Sequence, residues 1–196
     1  MDNLNWDKFI KATKNRKPIG FLIEAVKRIK SSKRLALDLG CGAGIDAKYL
    51  AENGFQVDAV DFNQDSINQT RELCKDLSVA AIQSNIIDYE IKTDNYQLII
   101  AWNTLPFLKK EDAKKVLYNI QKGLTKEGIF VFGFFGIEDD WAKNRFEMSF
   151  WTIKELQSLL SEMKFIKILE IKDKKPSAVG KVKFWHQIQG VAQRKT

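Results

Sequence analysis

One short stretch restricts the possible folds of this chain more than any other. An apolar run, Leu35-Ala36-Leu37-Asp38-Leu39, enters a turn with glycines at alternate positions, Gly40-Cys41-Gly42-Ala43-Gly44. Residues without a Cβ let the backbone turn tightly and let a ligand approach where a side chain would clash. A helical stretch, Ile45–Asn53, follows directly, and Gly54 supplies the left-handed residue that stops it. Strand, glycine-rich turn and helix together make a ligand-binding corner at the carboxyl end of a parallel sheet.

The same alternation continues along the chain. Strands are predicted at Phe55–Asp61, Val79–Ser84, Tyr96–Trp102 and Ile129–Phe135, and helices at Gln64–Asp76, Glu111–Gly123 and Thr152–Met163. Thr152 and Glu155 have the spacing of a capping box. Phe165–Ile171 and Lys183–Ala192 are the last two strands. Only the loop Lys172–Val182 joins them, too short for a helical crossover, so they form an antiparallel hairpin at one sheet edge. Apolar strands separated by helices imply an α/β three-layer sandwich around a seven-stranded, mostly parallel sheet. Ahead of it, two amphipathic helices are expected, one presenting Trp6, Phe9 and Ile10, the other Leu22, Ala25, Val26 and Ile29. Pro18 suits the first position of the second helix. The chain of 196 residues has the size of one domain. Residues 1–34 would be a helical extension or lid, and 35–196 the globular unit.

The formal net charge of +7 is concentrated in residues 1–34, which hold ten Lys/Arg against three acids. Such a segment can steer an anionic substrate or touch nucleic acid. The preferred reading is the polar face of two helices, with a small molecule rather than nucleic acid as the expected partner. No apolar run approaches the ~20 residues of a membrane span, and the start lacks the regions of a signal peptide. The two cysteines, Cys41 and Cys74, have neither metal-ligand nor disulfide spacing. A cytoplasmic monomer or homodimer without a metal is the expectation.

Two acids narrow the ligand. Asp38 lies two residues before the first glycine, where it opposes a pyrophosphate but favours a cofactor bearing an ammonium and a sulfonium. Asp61 closes the second strand, where a carboxylate can accept both ribose hydroxyls. Together they favour S-adenosylmethionine (SAM) over NAD. No G-x-x-x-x-G-K-[ST] element is present.

Leu37-Asp38-Leu39-Gly40-Cys41-Gly42-Ala43-Gly44 resembles the first motif of class I SAM-dependent methyltransferases, and Val60-Asp61 resembles the acidic motif that follows it. The resemblance implies a Rossmann-like fold with an antiparallel last strand. It also implies that Asp38, Gly40, Cys41 and Gly42 surround the methionine portion of SAM, with Gly44 completing the turn. Asp61 would hold the ribose and Phe62 would cover the adenine. Asn85, beside Ile86, takes a place where the family often has an acid, and its amide oxygen can still accept from the adenine amino group. Trp102 would pass under the methyl, and Arg16 is a candidate for the SAM carboxylate.

For the methyl acceptor, Asn103, Phe107, Trp141 and Trp6 are the candidate lining. Residues 103–107 are similar to the Asn-Pro-Pro-aromatic signature of amino-group methyltransferases. An extra residue and a single proline depart from it, so amino methylation is not inferred. His186, the only histidine, is a weak candidate base and more readily a structural hydrogen-bonder. The loop acids Glu138, Asp139 and Asp140 are expected to be solvated. The short length and motif order resemble the small bacterial tellurite-resistance methyltransferases. That implies an anionic or chalcogen acceptor such as tellurite, selenite or a thiol. The alternatives are an RNA or protein methyltransferase and a non-catalytic SAM-binding partner.

Overall fold

The computed structural model describes residues 6–177, 180 and 182–196. Two helices come first, α1 (Trp6–Thr13) and α2 (Gly20–Val26). Then follow β1 (Leu35–Leu39), α3 (Ile45–Glu52), β2 (Gln56–Asp61), α4 (Gln64–Leu73), β3 (Val79–Gln83) and β4 (Tyr96–Trp102). The chain ends with α5 (Lys110–Gly123), β5 (Leu124–Phe135), α6 (Ile153–Leu159), β6 (Met163–Pro176) and β7 (Val182–Arg194). The sheet order is β3-β2-β1-β4-β5-β7-β6. Strands β1 to β5 pair in parallel, while β7 runs antiparallel to both β5 and β6. The expected α/β architecture, including the terminal hairpin, is present.

Each face of the sheet carries its own core. Leu37, Leu39, Ile99, Phe130, Phe132 and Phe134 point toward α5 and α6. Ala36, Val57, Ala59, Leu98, Ile100 and Val131 point toward α2, α3 and α4. Burying one large apolar side chain contributes about 1.5–3 kcal/mol, and both faces bury many. The inner strands β1, β4 and the second half of β5 are therefore buried almost throughout rather than alternating. Gly54, at φ 81°, ends α3, with Phe55 N–H reaching Leu50 O and Gly54 N–H reaching Ala51 O. The capping box of Thr152 and Glu155 starts α6.

Several boundaries differ from expectation. Strand β5 begins at Leu124, well ahead of Ile129. Helix α2 starts at Gly20, leaving Pro18 outside, because the Ile19 N–H donates to the Asp46 carboxylate and holds the backbone extended there. Helix α4 stops at Leu73, short of Asp76. Helix α6 stops at Leu159, and Met163 already belongs to β6. The β6–β7 ribbon is longer than its apolar residues suggest: its pairing continues from Lys172↔His186 to Pro176↔Val182, past the last partner that β5 offers, Gln187. The Phe9 side chain lies outside the described residues. Among the described residues, no helix is long and apolar enough to cross a membrane.

Candidate active site

The glycine-rich turn is stitched to the end of β2. Gly40 and Cys41 N–H both donate to Val60 O, and Gly42 N–H donates to Asp61 Oδ2 at 3.0 Å. Gly40 is left-handed at φ 76°, and a Cβ there would drive into the Thr104 side chain just after β4. The ends of β1 and β4 meet at this point, which explains the need for glycine. Gly44, also left-handed, begins α3.

Three carboxyls gather around the turn. Asp38 is 3% exposed, Asp46 2% and Asp61 8%. Asp46 is clasped by Arg16, with Nη1 3.2 Å from Oδ1 and Nη2 on Oδ2, while Ile19 N–H donates to it at 3.0 Å. Asp61 accepts from Gly42 N–H and, through Oδ1, from Asn63 N–H at 2.9 Å. Asp38 Oδ2 is buried with no hydrogen-bond partner. Burial first, and then the Asp46 and Asp61 carboxylates, push the Asp38 carboxyl well above its usual range, against the pull of Arg16. Burial also raises Asp61, offset by N–H groups of Asn63 and Gly42. The Cys41 thiol is raised by burial and by the neighbouring Asp38 and Asp61, so it stays a protonated lining group. This corner is short of positive charge and holds an acceptor atom without a donor, which suits a ligand carrying an ammonium and a sulfonium.

Around it, Phe62 is 52% exposed and offers a ring face. Asn85 is exposed, with its amide oxygen accepting from Ile87 N–H at 3.1 Å and one lone pair left over, and Ile86 is buried beside it. The Trp102 ring packs on Phe21 of α2, 5.7 Å between centroids. Arg16, the candidate for the SAM carboxylate, spends its guanidinium fork on Asp46 yet lies close enough to act on Asp38.

An aromatic array lies along the carboxyl edge. Trp6 from α1 meets Phe62 at 5.7 Å on one side and Phe107 at 4.9 Å on the other. Phe107 continues to Phe135 and Trp141, and Trp141 to Trp185 at 5.4 Å. Trp6, Phe107 and Trp141, three of the four predicted acceptor-side residues, therefore share one array. The fourth, Asn103, follows β4 with φ 53°, its N–H on Gly133 O at 3.1 Å and its Oδ1 buried without a partner.

The loop after β5 departs from expectation. Asp139 is not solvated: it is 1% exposed, ion-paired with buried Lys183, and accepts the N–H groups of Trp141 and His186. The Lys183 ammonium sits 3.8 Å from the Trp185 ring centroid and 4.3 Å from that of Trp141. His186 uses both ring nitrogens. Nδ1 accepts from Glu138 N–H at 3.1 Å, so Nε2 carries the proton and donates to Glu170 Oε1 at 2.7 Å. Gly136 packs against that ring, where a Cβ would collide with it. Neither the Lys183–Asp139 pair nor the Arg16–Asp46 pair was legible in the sequence. Their only signal was the presence of both signs of charge in segments that fold together.

A family model described as "Tellurite resistance protein TehB" matches residues 5–171. The chain belongs to this family. A probable S-adenosyl-L-methionine-dependent methyltransferase TehB of Haemophilus influenzae (strain 10810) is 32% identical over 106 residues, 53% of this chain and 36% of that protein. The match thus spans about a third of the curated relative's length. A cypemycin N-terminal methyltransferase of a Streptomyces species is 32% identical over 83 residues, 42% of this chain and 34% of that protein. Among solved structures, TehB from Haemophilus influenzae superposes with a TM-score of 0.76 at 22% identity, covering 90% of this chain and 62% of that one. The N-methyltransferase NodS from Bradyrhizobium japonicum, in complex with S-adenosyl-L-homocysteine, gives 0.69 at 15% identity, covering all of this chain and 90% of that one. These likenesses establish a methyltransferase-type fold for this TehB-family chain.

Proposed function

We propose that the chain is a SAM-dependent methyltransferase acting on a small chalcogen acceptor such as tellurite, selenite or a thiol. The cofactor reading rests on Asp38: a buried carboxyl oxygen with no donor, among two further carboxyls and one cation. Gly40, Cys41, Gly42 and Asp38 would hold the methionine portion, Asp61 the ribose, and Phe62 with Asn85 and Ile86 the adenine. Arg16, which already acts electrostatically on Asp38, is the candidate for the SAM carboxylate. SAM supplies a methyl group already activated by its sulfonium, so the protein has to align a nucleophile and keep out water.

The acceptor reading is carried by the absence, among the described residues, of a free base near the aromatic array. The single histidine has both nitrogens engaged. Asp139 is paired with Lys183, Asp140 accepts Phe184 N–H at 2.7 Å, and Glu138 pairs with Lys172. A hard alcohol usually needs a base, whereas a soft chalcogen lone pair does not. The family's association with tellurite resistance, in its name, supports the same class. Calorimetric titration with SAM and S-adenosylhomocysteine tests the cofactor. Transfer of labelled methyl to selenite, tellurite and small thiols tests the acceptor; absence of transfer to all three by SAM-binding protein removes the chalcogen reading.

A further inference from the structure

The residue that follows β4 combines three features. Asn103 adopts a left-handed backbone at φ 53°, a conformation asparagine takes more readily than other residues with a side chain. Its amide oxygen is closed off from water and has no hydrogen-bond partner. The next residue, Thr104, is the one packed on Gly40 of the cofactor turn, and Phe107 and Trp141 of the aromatic array lie just beyond. An unpaired buried acceptor costs free energy and persists most readily where a ligand completes the arrangement. Gly133 leaves space for the amide oxygen itself, since a Cβ there would run into Asn103 Oδ1. The Asn103 N–H bond to Gly133 O holds the backbone in place.

We infer that Asn103 is a specificity-determining residue whose amide oxygen accepts a hydrogen bond from the acceptor, selecting a hydroxyl-bearing chalcogen oxyanion over a bare thiolate. This rests on the chalcogen reading above. An amide oxygen can only accept, so its missing partner is an O–H or N–H group. Hydrogen selenite and hydrogen tellurite carry both an O–H and a chalcogen lone pair. In the transfer, that lone pair forms the new bond to the methyl carbon and the carbon–sulfur bond of the sulfonium breaks. The sulfur keeps the bonding pair and becomes a neutral thioether. The chalcogen passes formally from the IV to the VI state, and the hydroxyl keeps its proton. The acceptor loses its negative charge as the bond forms, so its O–H becomes more acidic and its hydrogen bond to Asn103 strengthens toward the transition state. An interaction that grows in this way accelerates the reaction rather than only tightening binding. A thiolate has no hydrogen to give and meets only the negative end of the amide dipole.

The test uses Asn103→Gly, because glycine accepts the left-handed backbone and removes only the amide. Asn103→Asp, of the same shape, is the second variant, since its carboxylate repels the oxyanion. Selenite and ethanethiol, which carries no hydroxyl, are assayed separately as acceptors. Selenite binding in the absence of cofactor is followed by tryptophan fluorescence. In Asn103→Gly the ratio of kcat/KM for selenite to that for the thiol is expected to fall by at least about tenfold, the loss of one hydrogen bond to a charged partner. Selenite binding should weaken in both variants while the melting temperature of Asn103→Gly does not fall. An unchanged ratio with intact transfer to both acceptors overturns the role of Asn103 and leaves the chalcogen reading standing. Wild-type protein that methylates neither acceptor removes that reading, and the selectivity with it.

Discussion

The Arg16 guanidinium clasps the Asp46 carboxylate across 30 positions of sequence, joining the segment between α1 and α2 to the first turn of α3. Asp46 is nearly inaccessible, and its other donor, Ile19 N–H, comes from the same segment. The N-terminal segment is therefore fastened beside the glycine-rich turn by one ion pair and one backbone hydrogen bond. Arg16→Ala leaves a buried carboxylate without its cation. Because Arg16 itself is about one-third exposed, the loss is discounted to about 1–3 kcal/mol. Urea denaturation measures it, and a midpoint within error of wild type would show that the clasp contributes nothing.

Asp38 gives a prediction of opposite sign. Its folded carboxyl is raised well above the usual range, chiefly by burial, so the folded state holds a proton at pH values where the unfolded chain has lost it. The unfolded state then binds fewer protons, and this residue's contribution to stability falls as pH rises from the ordinary carboxyl range through the raised one. Asp38→Asn keeps the shape without the charge. The unliganded variant should melt higher than wild type at neutral pH, by ~2–4 °C for each 1 kcal/mol recovered, and the difference should vanish in acid. The same variant should lose SAM affinity in calorimetry. A neutral-pH melting temperature below that of wild type would contradict the assigned charge balance.

Asp61 holds the turn through Gly42 N–H and keeps lone pairs that, in the proposed site, would serve a ribose. Asp61→Ala should weaken SAM by at least ~1.5 kcal/mol, the contribution of a charge-assisted hydrogen bond. Calorimetry with SAM and with adenosine separates the two tasks: loss of a ribose contact weakens both ligands, whereas a loosened turn weakens SAM more. Equal affinity of variant and wild type for both would remove Asp61 from the site.

The fold was legible where one periodicity decided each element. Apolar strands such as Leu35–Leu39 and Tyr96–Trp102, the glycine that stops α3 and the Thr152–Glu155 cap all act within a few residues. The β6–β7 ribbon was underestimated because its outer half, with Lys172, Lys174 and Lys175, is held by backbone pairing rather than by burial. The candidate cofactor corner could be nominated from sequence because its residues lie within one turn and one strand end. Of the loop acids, Glu138 and Asp140 do reach solvent, and Asp139 was misread because the ordinary fate of an acid is solvation. Asp139 is buried through Lys183, which lies 44 positions away and pairs with it only once β7 folds alongside the loop.

That pair makes the sharpest test of how the acceptor side is held. Lys183 and Asp139 have side chains 8% and 0% exposed, and the ammonium also rests on the Trp141 and Trp185 rings. Burial draws the lysine below its usual range while the aspartate pushes it back up. Removing the cation alone, as in Lys183→Met, strands a buried carboxylate that also caps the turn at Trp141, at a cost of about 3–5 kcal/mol. Asp139→Asn alone retains side-chain hydrogen bonding but strands the ammonium. The double variant removes both charges, keeps the bulk beside the tryptophans and should recover most of the loss, since a buried ion pair contributes little against a well-packed neutral substitute. Urea midpoints of the four proteins give the coupling energy directly. If the two single losses simply add in the double variant, the charges do not hold this loop and the aromatic stacking does.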